Sequence, residues 1–408
     1  MKKIRHPRDL AINGAAPAFE QPVHVGRPNI GDECGFVRRI REMLDRRWLS
    51  NDGPFVRELE QRIAARLEVR HCVAMCNATV ALQIAARALG LSGEVITPSY
   101  TFVATAHALY WQGITPVFAD IDPGTHNLDP AAVRRMITPK TTGILAVHLW
   151  GRGAPDDALR QIAEEHGLKL FYDAAHAFDC SLRGRRIGQF GSCEIFSFHA
   201  TKFFNTLEGG AVLTNDDDLA ETMRLMRNFG FAGYDDVVRL GTNAKMVEAS
   251  AAMGLANLEC VDSFIECNRR NYEKYREAFA QIDGVALLPF DESERNNFQY
   301  IVVEVAEQCG ASRDDIVAAL HAENILARRY FWPGCHRMRP YRDLFPRAGL
   351  LLPNTARVAE RVIVLPNGTT LPDGVVDVIA DVVIQVARGG HIRVETPLTN
   401  GRREGTDG

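Results

Sequence analysis

The sequence lacks any apolar run approaching the roughly 20 residues that span a bilayer, so no transmembrane helix is expected. Its first residues, Met1-Lys2-Lys3-Ile4-Arg5-His6-Pro7, carry no apolar stretch of the signal-peptide kind. It has no long basic run and a formal net charge of −4, so nothing points to nucleic acid as a partner. A local pocket can still take an anion, because net charge does not decide that. The nine cysteines show no paired spacing of the zinc-binding kind, and no metal site is expected. Cys72 and Cys76 fall on one predicted strand, Cys193 opens another, and Cys260 falls in a helical pattern. Buried free thiols of this sort fit a reducing cytoplasm. No internal repeat is visible. What is present is an ordinary globular composition, 46% hydrophobic and 24% charged over 408 residues. That length accommodates one large domain and a smaller one.

Phe36, Ile40, Met43 and Leu44 are spaced as on a helix, and Asn51-Asp52-Gly53-Pro54 interrupts it. Pro54 suits the first turn of a second helix, which Phe55, Val56, Leu59, Ile63 and Leu67 line on one face. From there short apolar segments alternate with helical ones. Strands are expected at 73–76, 94–97, 117–119, 143–148, 169–172, 194–198 and 210–214, with helices at 78–89, 105–111, 130–136 and 155–166. This alternation predicts an α/β fold with a largely parallel central sheet covered on both faces. Met246, Met253, Leu258, Val261 and Phe264 mark one long helix leading away. The pattern then restarts on a smaller scale, with a strand at 299–305, a helix at 312–323, a strand at 327–330 and a terminal helix at 372–388. The expected organisation is an N-terminal arm and helix (1–50), a large domain (51–245), a linking helix (246–290), a small C-terminal α/β domain (291–388) and a disordered Gly-, Arg- and Thr-rich tail (389–408).

Three segments carry chemistry. In Ser197-Phe198-His199-Ala200-Thr201-Lys202 a strand gives way to a loop, which can project a lysine from the carboxyl edge of the sheet, where open α/β sheets bind ligands. Desolvation there would neutralise the amine and let it form a Schiff base with an aldehyde cofactor; a lysine in a loop is otherwise a solvated charge. In Phe171-Tyr172-Asp173-Ala174-Ala175-His176, Asp173 ends a strand and could hold a pyridinium nitrogen protonated, as in pyridoxal phosphate. The plain alternative is a helix cap, and for His176 a packed, hydrogen-bonded imidazole. In Cys76-Asn77-Ala78-Thr79 a strand runs into a helix whose first N–H groups could seat a phosphate, with Thr79 as a simple cap the alternative. Phe102, after the next strand, could stack on a cofactor ring or serve as core. A phosphate seat, a stacking ring, a carboxylate and a lysine, each at a strand end, form a conjunction that chance rarely supplies.

With these motifs the chain resembles the DegT/StrS type of sugar aminotransferase, of the aspartate-aminotransferase-like fold (fold type I of pyridoxal-phosphate enzymes). The resemblance runs from about Trp48 to the C-terminal helix. It adds Gly53-Pro54, the stretch from Thr97 to Thr105, Asp120-Ile121-Asp122, Val147-His148-Leu149-Trp150-Gly151, Glu208-Gly209-Gly210 and Gly241 to Met246. It implies pyridoxal 5′-phosphate as cofactor, Lys202 as its Schiff-base lysine and Asp173 at the pyridine nitrogen. It further implies Ala78, Thr79 and Ser197 at the phosphate, and Phe102 and His176 at the ring. Asn243 matches an asparagine that reaches the phosphate from a neighbouring subunit, which implies a homodimer with shared active sites. Two departures are that Ala78 stands where the family usually has glycine, and His176 where it often has glutamine. Some relatives replace the lysine with histidine and deoxygenate their sugar; retention of Lys202 favours transamination.

Within the family, Asn77-Ala78-Thr79, Phe196 to Lys202 and Tyr330 to His336 are most similar to the C-4 aminotransferase type of desosamine biosynthesis, a deoxysugar of antibiotics. That resemblance implies amination of dTDP-4-keto-6-deoxy-D-glucose with L-glutamate as donor. Arg328, Arg329 and a partner's Lys245 are candidates for the pyrophosphate. Alternatives are a C-3 aminotransferase, a dehydratase or lyase on the same scaffold, or a non-catalytic regulator that binds the sugar nucleotide.

Overall fold

Why the seven central strands read as apolar blocks is plain in the computed structural model, which describes residues 2–280 and 282–388: the sheet is covered on both sides. Its order is His71–Met75, Gly210–Thr214, Glu194–Ser197, Lys169–Asp173, Thr141–Val147, Glu94–Pro98, Thr115–Ala119. Gly210–Thr214 runs antiparallel to both neighbours, and the five strands beyond it are parallel. On one face Leu59, Ile63, Leu159, Ile162, Ala251 and Leu255 close the core from three helices. On the other, Leu82, Ala85, Leu109 and Met223 do so. The fold is thus α/β with a mostly parallel central sheet, and the carboxyl ends of the six strands other than Gly210–Thr214 share one edge.

A three-stranded antiparallel sheet of Val285–Leu287, Ile301–Val305 and Val362–Leu365 forms a second core with the helices Val261–Phe279, Arg313–Ala322 and Val375–Ala387. Ile4, Leu10 and Val23 join this second core. The fully buried Glu323 holds that N-terminal segment, accepting from the N–H groups of Ala11 and Ala18 at 2.6 and 2.7 Å. So residues 2–24 pack on the smaller sheet, while the helix Glu33–Arg46 packs on the large domain.

Two expectations need correction. The linking helix expected over 246–290 is two helices, Glu248–Leu258 and Val261–Phe279, broken where Cys260 adopts φ −111° and ψ 2°. Residues 285–287 are already a strand. The strand expected at 327–330 is absent: Ile325–Leu326 pairs with Val23–His24, and beyond it only Arg328 bridges to Val364. Ile325 and Ala327 are buried in the second core instead, and Tyr330 packs against a separate apolar cluster. The tail from Gly389, expected to be disordered, lies outside the described residues. None of the described helices is long and apolar enough to cross a membrane.

Candidate active site

Lys202 sits in the loop that follows the strand Glu194–Ser197. Its Nζ donates to Tyr300 Oη at 3.1 Å and lies 5.7 Å from the centre of that ring. The side chain keeps a partial opening. Loss of water contact draws its pKa from 10.5 down to about 8, against the pull of Asp173 and Tyr330. Asp173 ends the strand Lys169–Asp173 and is buried. Its Oδ2 accepts from Thr105 Oγ1 at 2.8 Å and its Oδ1 from the N–H of Ala175 at 3.1 Å. Burial raises its pKa, while those two bonds and the Lys202 charge hold it down. A turn follows it, so Asp173 is no helix cap. His176 is buried too, its Nδ1 accepting from the N–H of Trp150 at 3.3 Å. Burial first, and the nearby ammonium second, push its pKa well down, leaving a neutral ring.

The second group lies around Gly210. Asn77, not Thr79, caps the helix Ala78–Ala88, its Oδ1 accepting from the N–H of Val80 at 2.9 Å. Ala78 and Thr79 are the first two helical residues, and no acceptor among the described residues takes their N–H groups. Gly210 pairs with Met75 on one side and Ser197 on the other. A Cβ there would lie 2.6 Å from the nitrogen of Ala78 and 2.8 Å from the oxygen of Phe196. Ala78, Thr79 and Ser197 are therefore gathered about a glycine that lets the backbones close up. Two free N–H groups at the positive end of a helix are suited to an anion.

Phe102 stands at the N-cap of the helix Val103–Tyr110 and is 58% exposed, a ring available to a planar ligand. It is one turn from Thr105, the donor to Asp173. Asn243 is not brought to these residues: it is exposed and bridges to Asn228. Of the two arginines named as pyrophosphate candidates, Arg329 pairs with Asp314 at 3.1 Å and covers the Trp332 ring. Arg328 covers the Tyr330 ring, and no carboxylate among the described residues pairs with it. Lys245 donates to Asn228 Oδ1 at 3.0 Å.

A model of the DegT/DnrJ/EryC1/StrS aminotransferase family matches residues 32–384. The chain belongs to that family. It is 34% identical over 368 residues to a dTDP-4-amino-4,6-dideoxy-D-glucose transaminase of Shigella dysenteriae, covering 90% of this chain and 100% of the relative. It is 37% identical over 331 residues to a GDP-perosamine synthase of Caulobacter vibrioides, covering 79% and 87%. The crystal structure of DesI, solved in the presence of its TDP-sugar product, matches with a TM-score of 0.89 and 49% identity over 94% of this chain and 97% of that one. The protein is therefore a pyridoxal-phosphate-dependent sugar-nucleotide aminotransferase.

Three residues of this aminotransferase's site escape a reading of the sequence. Tyr300 stands immediately before the strand Ile301–Val305 of the small domain and returns to Lys202 across 98 positions. Thr105 lies inside a family stretch, yet nothing local links it to Asp173, 68 positions on. Trp150 stacks on His176 with ring centres 5.7 Å apart. Its left-handed backbone, followed by Gly151 at φ 82°, is the feature that a Trp-Gly pair after a strand could have suggested.

Proposed function

We propose that this enzyme transfers the amino group of L-glutamate to C-4 of a dTDP-linked 4-keto-6-deoxyglucose, in the biosynthesis of an antibiotic's deoxysugar. The observation that carries the reading is the 49% identity to DesI over nearly the whole chain. A relative whose name is a dTDP-4-amino-4,6-dideoxy-D-glucose transaminase supports it. The nine unpaired cysteines suit a cytoplasmic enzyme.

The residues at the sheet edge fit pyridoxal phosphate. Lys202 supplies an amine that is neutral in useful amount near pH 7. Asp173 supplies a carboxylate for the ring nitrogen, and His176 and Phe102 supply groups for the ring. The free N–H groups of Ala78 and Thr79, with Ser197, suit the phosphate, and Gly210 lets the backbones around them close up. The bound cofactor supplies an electron sink for the carbon that loses a proton. The protein's part is to place charges and carry that proton. Lys202 Nζ, desolvated and held by Tyr300 Oη, is the base. Burial keeps Tyr300 a phenol, since it raises that pKa strongly. The hydrogen bonds from Thr105 and Ala175 keep Asp173 oriented and favour its anion.

Asn243 would act on the partner's site in a homodimer. The exposed Phe229, Phe231, Val237, Val238 and Leu240 in the same loop are the apolar surface such an interface would cover. The test is product analysis: the purified enzyme with L-glutamate and dTDP-4-keto-6-deoxyglucose should give the 4-amino sugar, identified by mass and proton couplings. A 3-amino product, a deoxygenated sugar, or no turnover by a cofactor-loaded enzyme overturns the reading.

A further inference from the structure

Trp150 holds φ 60° and ψ 17° with its indole fully buried. Bulky residues rarely enter that region, and they stay only where the surroundings over-determine them. Here the indole is stacked on Phe331, with centres 5.2 Å apart and planes at 11°, and on His176. Its Nε1–H donates to His126 Nδ1 at 3.3 Å, and His126 Nε2 faces Glu304 Oε1 at 2.7 Å. Since His126 accepts at Nδ1, its proton sits on Nε2 and is donated to Glu304. The left-handed turn in turn directs the N–H of Trp150 to His176 Nδ1. A neutral imidazole that accepts at Nδ1 carries its proton on Nε2. That nitrogen has no hydrogen-bond partner among the described residues. The ring beside it is Tyr300, 4.3 Å between centres, which also holds Lys202.

We propose that Glu304, His126 and Trp150 are positioning residues, a relay running from a strand of the small domain that fixes His176 as an Nε2–H donor beside Lys202. An anionic oxygen in the cleft is thereby met by a hydrogen-bond donor and never by a lone pair. A glutamine amide, which the resemblance noted above often places at this position, can also donate. Burial and the Lys202 ammonium keep His176 from taking a second proton, so the donor stays single and directed. The relay makes the donor depend on domain docking, because Glu304 and Phe331 come from the small domain and His126, Trp150 and His176 from the large one. Only the identity of the oxygen rests on the aminotransferase reading; the tautomer does not.

The test is long-range proton–nitrogen NMR of histidine-labelled protein, with and without bound cofactor, His176 being assigned through His176→Gln. The expected result is a neutral Nε2–H tautomer of His176 from about pH 6 to 8. Glu304→Gln keeps an acceptor for His126 and should leave the spectrum unchanged. Glu304→Leu and Trp150→Phe should turn the single tautomer into a mixture and lower kcat with KM for the sugar retained. Should Glu304→Leu fail to fold, Trp150→Phe, which keeps a stacked ring, carries the test alone. A His176 proton on Nδ1, titration within that pH range, or an unaltered tautomer in folded Glu304→Leu or Trp150→Phe overturns the relay, whatever the enzyme's substrate proves to be.

Discussion

An ammonium of ordinary pKa is neutral in roughly one molecule in 3,000 at pH 7. Lys202, with a pKa of about 8, is neutral in roughly one in ten. Its burial therefore raises the population of reactive amine ~300-fold. The perturbation that tests this is Asp173→Asn, since Asp173 is the largest influence opposing the fall. Without that charge the midpoint should move below 8. The assay is uptake of pyridoxal phosphate by cofactor-free enzyme, followed by its visible absorbance over a pH series. The rate should follow the neutral fraction, levelling off above about 8 in the unsubstituted enzyme and at lower pH in Asp173→Asn. The same shift appears in stability. The folded pKa is below the unfolded one, so between about 8 and 10.5 the unfolded chain binds more protons and the folded state gains stability as pH rises. The gain is on the order of 2–3 kcal/mol for a side chain that keeps some water contact. Lys202→Met should flatten it. A midpoint near 10.5, or a shift to higher pH in Asp173→Asn, would falsify the desolvation account.

Gly210→Ala puts a methyl 2.6 Å from the nitrogen of Ala78, and backbone on both sides leaves nothing flexible to yield. A loss of about 1–3 kcal/mol is expected, seen as a lower Tm, with faster cofactor loss on dialysis; unchanged retention refutes the phosphate seat proposed at Ala78. Asp179→Asn should cost about 3–5 kcal/mol in denaturant unfolding. The fully buried Asp179 is shared by Arg66 at 2.7 Å and Arg295 at 2.6 Å, and asparagine tolerates its left-handed backbone at φ 61°. A loss under about 1 kcal/mol would show that the exposed Asp262, which touches both arginines, already suffices.

Much of the large domain was legible because each of its elements declares itself locally. The strands Gly210–Thr214 and the helix Pro130–Met136 fall at their expected bounds. Apolar blocks buried on both faces need no knowledge of their neighbours. The small domain was less so: Val285–Leu287 and Val362–Leu365 are three and four residues long, too short for a period to show. The helix Asp217–Arg227 went unread although Asp216 caps it. Its buried apolar positions, Leu219, Ala220 and Met223, form a narrow face among charges.

Motifs whose purpose the sequence conceals have partners far along the chain. Gly53-Pro54 looks like simple helix initiation, yet a Cβ at Gly53 would strike the Glu248 carboxyl group at 2.4 Å. That buried carboxylate caps the helix through the N–H groups of Phe55 and Val56, both at 2.9 Å. Asp120-Ile121-Asp122 is one short family stretch, but its two carboxylates part. Asp122 closes a turn through Gly124 and Thr125, while Asp120 caps the helix Pro353–Arg361 through Asn354 and Thr355. The site divides in the same way. Lys202, Asp173 and Ala78 could be named because a strand's end announces an exposed edge. Tyr300 and Trp150 could not, because what fixes them is the meeting of two domains, and Thr105 could not, because its partner Asp173 lies on another element of the large domain. A residue that bears the chemistry must sit where the topology opens, and that place is written locally; the residues that orient it are chosen by packing, which no single segment records.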